Sequence, residues 1–355
     1  MNKTDIKSLN KSALKEFVNN LGQPAFRAVQ IFEWLHARLA TTFDEMTNLG
    51  KDFRVKLDES CYITTLKPVK TLESKLDGTM KFAFELADGN IIESVLMRYK
   101  HGNTVCVSSQ AGCRMGCRFC ASTIDGLARN LTPSEILDQI YSINRITGER
   151  ISNVVIMGSG EPLDNYENVI SFIKLIGDER GYNMSRRNIT LSTCGLVPEV
   201  FRLADKGLPI TLAISLHAPN DELRRQTMPI ANRYGIAEIM KACEYFFNKT
   251  GRRISFEYSV IKGLNDSADT IKELAALLTG SGSHVNLIPV NPIKERNFDR
   301  PDDSALLRAK SILEKSGINV TIRRRLGSDI GGSCGQLRRS VSDDAGHIFT
   351  EPKGD

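Results

Sequence analysis

Three cysteines with the spacing of metal ligands are the strongest chemical signal in the chain. Cys113, Cys117 and Cys120 form a C-x3-C-x2-C motif directly after a β-like run. Thiolates are soft ligands that suit zinc or iron–sulfur clusters. A closed zinc site needs a fourth protein ligand nearby, and the next histidine along the chain is His217. The spacing therefore favours an iron–sulfur cluster, with a zinc knuckle as the alternative.

A four-iron cluster that is held by only three cysteines has one iron without a protein ligand. That iron can bind the amino and carboxylate groups of S-adenosylmethionine and deliver an electron to its sulfonium. The product is a 5′-deoxyadenosyl radical, which is one of the cofactor-based routes to radical chemistry. The motif therefore predicts a [4Fe-4S] cluster that works with S-adenosylmethionine.

Strand-like runs alternate with amphipathic helices over the rest of the chain, and these elements must position the cysteines. The strand-like runs are 104–108, 153–157, 188–192, 210–215, 255–260, 284–289 and 319–323. The helices include 134–146, 165–176, 236–248, 268–278 and 304–316. This alternation predicts parallel βα units. A doubly wound sheet and a barrel both satisfy the pattern, so spacing alone leaves both open.

The N-terminal part of the chain has a different organisation. Segments 12–21 and 25–40 carry apolar residues at helical spacing, separated by a glycine and a proline. Short β-like runs follow from 64 to 107, and Asp-Gly pairs at 77–78 and 88–89 are typical of hairpin turns. We therefore predict a small helical domain followed by a few antiparallel strands.

The composition is ordinary for a globular protein, with 41% of the 355 residues hydrophobic and 25% charged. No apolar run reaches the roughly 18–20 residues that a membrane helix needs, and residues 1–17 are too polar for a signal peptide. We therefore expect a cytoplasmic protein without membrane contacts, in which the eight cysteines form no disulfide framework. The net charge of +5 suits an RNA partner but does not by itself indicate one.

Three further motifs are weak when each is taken alone. Gly158-Ser-Gly160-Glu161-Pro follows a strand-like run, where glycines let the backbone approach a ligand, but a plain turn has the same pattern. Cys106 lies within a strand-like run, where a small buried residue is common. Cys334 lies in a segment from residue 326 onward that is rich in Gly, Ser, Arg and Asp and is typical of a flexible tail.

Taken together, these motifs resemble the RlmN/Cfr family of radical S-adenosylmethionine enzymes over about residues 20–339. The resemblance is carried by Cys106-Val-Ser-Ser-Gln-Ala-Gly-Cys113, Met157-Gly-Ser-Gly-Glu161-Pro, Leu191-Ser-Thr, Ser215-Leu-His217-Ala-Pro and Cys334-Gly-Gln-Leu. It implies an α/β fold, a partial (βα)6 barrel with a small N-terminal helical accessory domain and a short β extension. The expected regions are the helical domain 1–60, an antiparallel β region 61–100, the barrel 101–325 and a tail 326–355 that carries a methyl-accepting cysteine.

The family methylates adenine in 23S ribosomal RNA, at C2 or at C8. The N-terminal stretches Pro24-Ala-Phe-Arg-Ala-Val-Gln-Ile-Phe-Glu-Trp34 and Phe43-Asp-Glu-Met-Thr-Asn-Leu49 resemble the RlmN branch, which implies C2 methylation and makes transfer RNA a second candidate substrate. The alternatives are C8 methylation as in the Cfr branch, a paralogue with another RNA target, and a non-catalytic iron–sulfur RNA-binding protein. The resemblance also implies an electron donor such as flavodoxin, and we expect a monomer.

The resemblance assigns roles to individual residues. The cofactor site would be lined by Gly160, Glu161, Ser192, Ser215, Leu216, His217 and Asn291. Cys334 would take a methyl group from one S-adenosylmethionine, and a second molecule would generate the radical that activates this methyl for addition to adenine. Glu93 would accept the ring proton, and Cys106 would attack the Cys334 sulfur to release the product. The family usually has an acidic residue just before this cysteine, where this chain has Gly331-Gly332-Ser333.

Several arginines are candidates for RNA contacts. They are Arg114 and Arg118 beside the cluster motif, Arg186-Arg187, Arg323-Arg324-Arg325 and Arg338-Arg339. Phosphate contacts of this kind would fix the register of the RNA, while an extruded base enters the barrel. Any one arginine pair is more often a solvated face, so we favour the run 323–325, which directly precedes the segment with Cys334.

Overall fold

A computed structural model describes residues 3–337 and 347–348 of the chain. Its N-terminal part is helical, as the apolar spacing predicts. The elements are β1 (Thr4–Asp5), α1 (Lys11–Asn20), α2 (Phe26–His36), α3 (Lys51–Ser60) and β2 (Cys61–Tyr62). Helix α1 begins after Asn10, whose side-chain oxygen accepts hydrogen bonds from the N–H groups of Ser12 and Ala13. Strands β1 and β2 pair in parallel and hold the two ends of this helical part together.

An antiparallel extension follows, formed by β3 (Pro68–Glu73), β4 (Met80–Glu85) and β5 (Ile91–Tyr99). The two Asp-Gly pairs lie in the turns between these strands, with Gly78 and Gly89 at positive φ. Strand β5 then pairs antiparallel with β6 (Gly102–Val107), so the extension and the barrel share one continuous sheet.

The barrel contains six strand–helix units and one closing strand within the described residues. In chain order its elements are β6, β7 (Gln110–Gly112), β8 (Leu127–Asn130), α4 (Pro133–Thr147), β9 (Ile151–Ile156), α5 (Tyr166–Ile176), β10 (Ile189–Thr193), α6 (Val197–Asp205), β11 (Thr211–Ser215), α7 (Asp221–Thr227), α8 (Ile236–Thr250), β12 (Ser255–Val260), α9 (Ala268–Leu278), β13 (His284–Pro289), α10 (Asp303–Lys315) and β14 (Asn319–Ile322). Strand β15 (His347–Ile348) pairs with β3.

The strand order separates the two folds that the sequence left open. Strands β6, β9, β10, β11, β12, β13 and β14 are neighbours in that order, and every pair among them is parallel. A doubly wound sheet reverses its strand order at a switch point, whereas a barrel adds each strand on the same side. This order therefore excludes the doubly wound sheet, and the predicted partial (βα)6 barrel is confirmed.

The two faces of the parallel sheet differ sharply. The outer face is apolar and packs on the helices, through residues such as Val105, Leu212 and Phe256. The inner face carries a layer of polar side chains, among them Thr190 and Glu257. Complete (βα)8 barrels fill their interior with branched apolar side chains. The polar inner face instead leaves a lumen that can hold a ligand.

A buried ion pair ties the start of the chain to the barrel. Lys7 Nζ lies 2.7 Å from Asp138 Oδ1 on α4, and both side chains are fully buried. Burial lowers the pKa of Lys7, opposed by the charge of Asp138. Burial also acts to raise the pKa of Asp138, but the charges of Lys7 and Arg145 outweigh it and lower that pKa. The helical part is therefore anchored directly to the first barrel helix.

The segment 326–337 is folded against the protein, although its composition is typical of a flexible tail. Asp329 accepts hydrogen bonds from Ser74 Oγ at 2.7 Å and from the N–H of Lys75 at 3.0 Å, both in the turn between β3 and β4. The Gly327 N–H donates to Asp77 in the same turn. The four-region division of the chain stays a prediction. Among the described residues, no helix has the length and apolar character to cross a membrane.

Candidate active site

One cavity collects most of the residues that the sequence singled out. It lies where the parallel strands end and contains about 950 Å³ of empty space, including its open mouth. Its lining includes Cys113, Cys117, Cys120, Gly160, Glu161, Ser192, Ser215, His217, Asn291 and Cys334. Leu216 is fully buried outside the lining, and Glu93 and Cys106 lie deeper in the sheet.

The cysteine motif forms a loop between β7 and β8, and the pairing of these two short strands fixes the start of the loop. Gly112 has φ +80°, and a Cβ there would lie 1.9 Å from the Gly126 carbonyl oxygen, so only glycine fits. The Cys113 N–H donates to that same carbonyl at 3.0 Å. This contact fixes the direction in which the loop leaves the sheet and turns its three thiols into the cavity.

The three thiols fit a multi-iron cluster. All three line one cavity, yet within the described residues no group of three or more His, Cys, Asp or Glu side chains converges on a single ion. In a cluster each cysteine binds a different iron, so the sulfurs need not meet at one point. Burial raises the pKa of Cys113 to about 12 and also raises those of Cys117 and Cys120. Binding as thiolates would therefore release protons.

The loop after β9 is pressed against the start of the cysteine loop. A Cβ on Gly160 (φ +109°) would lie 2.6 Å from the Gln110 Cβ, and a Cβ on Gly158 would lie 2.7 Å from the Val107 backbone. The Ser159 carbonyl accepts from the N–H groups of Ser109 and Gln110. Both glycines are therefore required for this close approach, which places Glu161 on the cavity wall.

Glu161 is a buried carboxylate whose geometry is set by backbone donors. Its Oε1 accepts from the Leu163 N–H at 3.0 Å and its Oε2 from the Cys194 N–H at 2.8 Å. Burial raises the pKa of Glu161, and these N–H groups oppose that rise. Each oxygen has a further lone pair, so the group can also accept from an ammonium in the cavity.

His217 packs against the cysteine loop. It has φ +59°, and its Nδ1 accepts the Ser259 N–H at 2.9 Å, so its Nε2 carries the proton when the ring is neutral. Burial, with the charge of Arg224, lowers the pKa of His217 to about 3. Its ring meets that of Phe119 edge-on at 4.9 Å between centroids. A neutral histidine thus packs against the loop between two cysteines.

The remaining predicted cofactor residues have distinct surroundings. Ser192 Oγ and Ser215 Oγ lie 3.4 Å apart at the ends of neighbouring strands. Leu216 contributes backbone contacts, since its N–H donates to the Glu257 carbonyl and its own carbonyl accepts from Arg224 Nε. Asn291 Nδ2 donates to the backbone carbonyl of Cys334 at 3.0 Å. Asn291 thus contacts the tail cysteine as well as the cavity.

The two isolated cysteines lie near the same part of the tail. Cys106 on β6 packs in a small cluster with Val95, Met97 and Leu337, so the tail covers it. Burial raises the pKa of Cys106 to about 12, the charge of Cys334 raises it further, and Arg323 opposes both. Cys334 makes the largest contribution to the raised pKa of Arg323, and both residues line the cofactor cavity.

Glu93 lies on β5 and faces the same side of the sheet as Cys106. Val95 pairs directly with Cys106, and Glu93 is two residues before Val95, so their side chains share a face. Glu93 Oε1 is 3.2 Å from Lys81 Nζ, and both side chains are buried. A carboxylate and an ammonium therefore lie on this face near the tail.

The candidate RNA-contacting arginines are scattered. Arg114 and Arg118 are exposed on the cysteine loop, and Arg114 pairs with Asp164. Arg324 and Arg325 are exposed, whereas Arg323 points into the lumen. Arg186 is half-buried and Arg187 is exposed before β10. Arg338 and Arg339 lie outside the described residues.

Comparison with known proteins agrees with this geometry. Residues 107–278 match the model of the radical SAM superfamily, and residues 4–63 match that of the ribosomal RNA large subunit methyltransferase N-terminal domain. A relative from Lachnospira eligens, named "Probable dual-specificity RNA methyltransferase RlmN", is 60% identical over 96% of this chain and 97% of its own. A relative of the same name from Lachnoclostridium phytofermentans is 55% identical over 96% of each chain.

The chain belongs to the RlmN family of radical SAM RNA methyltransferases. The crystal structure of a radical SAM methyltransferase from Sphaerobacter thermophilus has a similar fold, with a TM-score of 0.91 and 43% identity over 95% of this chain and 100% of that one. As a member of the RlmN family, the chain uses a [4Fe-4S] cluster and S-adenosylmethionine. The cavity with three free thiols and a buried carboxylate provides residues that suit both.

Two polar residues at the site were missed by sequence reasoning. Glu257, in the middle of β12, lines the cavity and lies 3.7 Å from Arg323. Arg224 is fully buried on the short helix α7 and donates to the carbonyls of Leu216 and Cys194. The signal for Glu257 was its alternation with Ser255 and Ser259, which marks a polar strand face.

Proposed function

We propose that this member of the RlmN family methylates C2 of an adenine in 23S ribosomal RNA through a methylated Cys334. The single observation that carries the proposal is the packing of Cys106 against Leu337, three residues after the Cys334 that lines the cofactor cavity with Arg323. Adenine C2 is electron-poor and offers no lone pair for polar attack on S-adenosylmethionine. A methyl group bound to a cysteine sulfur can be added to C2 as a carbon radical, and a second thiol can then release the product from that sulfur.

Cys334 is positioned to carry the methyl group. It lines the cavity with the three cluster cysteines, and its backbone carbonyl is held by Asn291. The cluster and two molecules of S-adenosylmethionine per turnover supply the methyl group and the radical that activates it. The role of the chain is to keep the Cys334 sulfur at one place for both events.

Cys106 is assigned to resolve the thioether between Cys334 and the base. Its thiolate attacks the Cys334 sulfur, so that an S–S bond forms as the S–C bond breaks. The bonding pair stays with the carbon attached to adenine, which takes up a proton and becomes the methyl group. Attack requires the thiolate. Burial keeps Cys106 protonated at neutral pH, while Arg323 favours the charged form. An electron donor such as flavodoxin would supply the electron for radical formation, and a dithiol reductant would return both cysteines to thiols.

Glu93 is assigned as the acceptor of the adenine C2 proton. It lies on the same sheet face as Cys106, and Lys81 holds its carboxylate. Transfer RNA is proposed as a second substrate, in keeping with the dual specificity in the names of the relatives. The proposal also includes that the protein is a monomer and acts in the cytoplasm.

The test is mass spectrometry of nucleosides from RNA treated with the reconstituted enzyme. We expect 2-methyladenosine in 23S RNA, and 8-methyladenosine in its place would assign the chain to the C8 reaction. Cys334→Ala should give no product, because no methyl carrier forms. Cys106→Ala should instead accumulate enzyme joined to RNA, seen as a nuclease-sensitive band on a denaturing gel. Cys243→Ala, a buried cysteine on α8, is the matched control and should turn over normally.

A further inference from the structure

The lower half of the barrel lumen holds a second large cavity, at the end where the parallel strands begin. It contains about 1440 Å³ of empty space, including its mouth. Its walls are inner-face residues near the starts of the strands, such as Thr104, Thr190 and Thr211. This end of a (βα)8 barrel ordinarily serves stability, and the site lies at the opposite end. A large polar cavity at this end of the barrel therefore suggests that a ligand binds there.

The lower cavity adjoins the cofactor cavity. Met157, Glu257 and Arg323 line both of them. Tyr99 lines the lower cavity and also a small pocket that includes Cys334. Met97 lines the lower cavity and packs in the cluster that contains Cys106. A group that enters from below would therefore approach both cysteines.

The upper side of Cys334 is covered by the chain itself. The Gly335 carbonyl accepts from the Ala121 N–H at 2.8 Å, and the Leu337 carbonyl accepts from Ser122 Oγ at 2.8 Å. A Cβ on Gly335 would lie 3.3 Å from the Phe119 carbonyl oxygen. The tail and the cysteine loop are thus in contact beside the methyl-carrying residue, and among the described residues the opening that remains at this end is the mouth of the cofactor cavity.

The rim of the lower cavity is cationic. His101, Arg187, Arg253 and Arg324 line it and are exposed, and Glu257, deep inside, is the only acidic residue in its lining. In the part of the chain that the structure describes, none of these three arginines is ion-paired with a carboxylate. The rings of Tyr99 and His101 stack at 5.0 Å on the wall. Unpaired arginines beside aromatic rings suit phosphates and bases.

A groove on the outer side of the barrel offers the rival surface. It is large, and its lining includes Arg114, Arg202 and Arg233. Two of these are neutralised, since Arg114 pairs with Asp164 and Arg202 pairs with Glu167 and Glu199. The outer groove therefore attracts a polyanion less than the rim of the lower cavity does.

One buried polar atom in the lower cavity lacks a partner among the described residues. Asn153 Nδ2 is buried and makes no hydrogen bond to any described group. Glu257 Oε2, which also makes no hydrogen bond to a described group, lies 3.7 Å from Arg323. Adenine presents acceptor ring nitrogens, which an amide N–H can satisfy. Buried polar atoms without partners are rare in folded proteins, and a ligand would account for the Asn153 amide.

We propose that the substrate RNA docks at the strand-start end of the barrel and that the extruded adenine enters through the lower lumen. This inference rests on the proposed methylation of RNA and adds the route of the base. Arg187, Arg253 and Arg324 hold phosphates at the rim. Asn153 donates to the base edge on its way to Cys334. The cofactor and the base thus reach the two thiols from opposite ends.

The first test compares two pairs of arginines for binding to a 23S RNA hairpin by fluorescence anisotropy over a range of salt. R187Q/R253Q should weaken binding and reduce the slope of log affinity against log salt by about 1 to 2, because two phosphate contacts are lost. R202Q/R233Q, in the outer groove, should bind like the wild type. The reverse pattern would overturn the route and assign RNA docking to the outer groove.

The second test blocks the lumen with T190W. We expect unchanged iron content and unchanged methylation of Cys334, but at least a tenfold loss of RNA methylation. T190W that methylates RNA at the wild-type rate would refute the inference. Failure of the proposed function is separable, because a wild type that makes no methyladenosine can still show weaker RNA binding in R187Q/R253Q.

Discussion

Asn291 donates a hydrogen bond from its side-chain amide to the backbone carbonyl of Cys334, at 3.0 Å. This contact joins the loop after the sixth barrel strand to the tail. The family resemblance assigned Asn291 to the cofactor site, and the residue does line that cavity. Its direct partner, however, is the residue that we propose to carry the methyl group.

Asn291→Ala should therefore slow methylation of Cys334 roughly fivefold, since a hydrogen bond of this kind contributes about 1 kcal/mol. The peptide with Cys334 can be followed by mass spectrometry during single turnover. Affinity for S-adenosylmethionine, measured by calorimetry, should change less than the methylation rate. A variant that loses cofactor affinity but methylates Cys334 normally would assign Asn291 to the cofactor alone.

Each of the three cluster cysteines should be necessary for iron. Replacing Cys113, Cys117 or Cys120 with Ala should abolish uptake of about four irons per chain on anaerobic reconstitution. Cys61→Ala is the control, since that thiol is buried in the N-terminal part, away from the cavity. Stoichiometric zinc with no iron in the wild type would contradict the cluster assignment.

Glu161→Gln tests the carboxylate on the cavity wall. We expect affinity for S-adenosylmethionine to fall tenfold or more, because a charge-assisted hydrogen bond to the ammonium is lost. Glutamine keeps the size of the side chain, so the loop after β9 should stay folded and iron content unchanged. Glu199→Gln, outside the cavity, is the matched control. Equal affinities of the two variants for S-adenosylmethionine would show that Glu161 accepts from its backbone N–H groups but does not bind the cofactor.

Stability should fall in mild acid because of His36. Its side chain is buried between α2 and α4, with Nδ1 3.1 Å from the Tyr141 hydroxyl. Burial lowers its pKa to about 3, and the charge of Lys7 adds to this while Asp178 opposes it. The unfolded chain binds a proton near pH 6.5 that the folded chain does not, so stability present above pH 6.5 is lost as pH falls towards 3. The loss is about 1.4 kcal/mol per pH unit.

The His36 effect can be isolated by measuring unfolding with denaturant at pH 7 and pH 5. His36→Gln cannot take up this proton and keeps a polar side chain towards Tyr141. Its free energy of unfolding should therefore drop by about 2 kcal/mol less than that of the wild type between the two pH values. Equal drops in both proteins would show that His36 is not the group responsible.

Local signals predicted the regular elements well and the contacts between distant segments poorly. The runs 255–260, 268–278 and 284–289 have in the structure the bounds that their patterns gave, because each is a complete apolar or alternating run. The hairpin of β7 and β8 was missed, since its strands are too short for a periodicity.

At the site, the sequence predicted the functional residues that lie inside recognisable motifs. It did not predict those that lie on strands without a motif. The cysteine loop and Glu161 lie in local patterns, whereas Glu257 acts only through the strand face that it shares with its neighbours. Arg323 was expected to meet phosphate, but its side chain enters the lumen, where it lies 3.7 Å from Glu257 and lines the cavity with Cys334. Residues 326–337 are held by hydrogen bonds to the turn between β3 and β4. No local sequence pattern predicts these long-range contacts.

The buried pair of Lys7 and Asp138 has a consequence for the order in which the chain can fold. Lys7 is completely enclosed, and the carboxylate that stabilises its ammonium lies on the first barrel helix. A fragment that ends near residue 100 would have to bury this charge without its partner, at a cost of several kcal/mol, or leave the segment open. The helical start of the chain therefore cannot mature during synthesis until α4 has been made, and it should unfold together with the barrel as one cooperative unit.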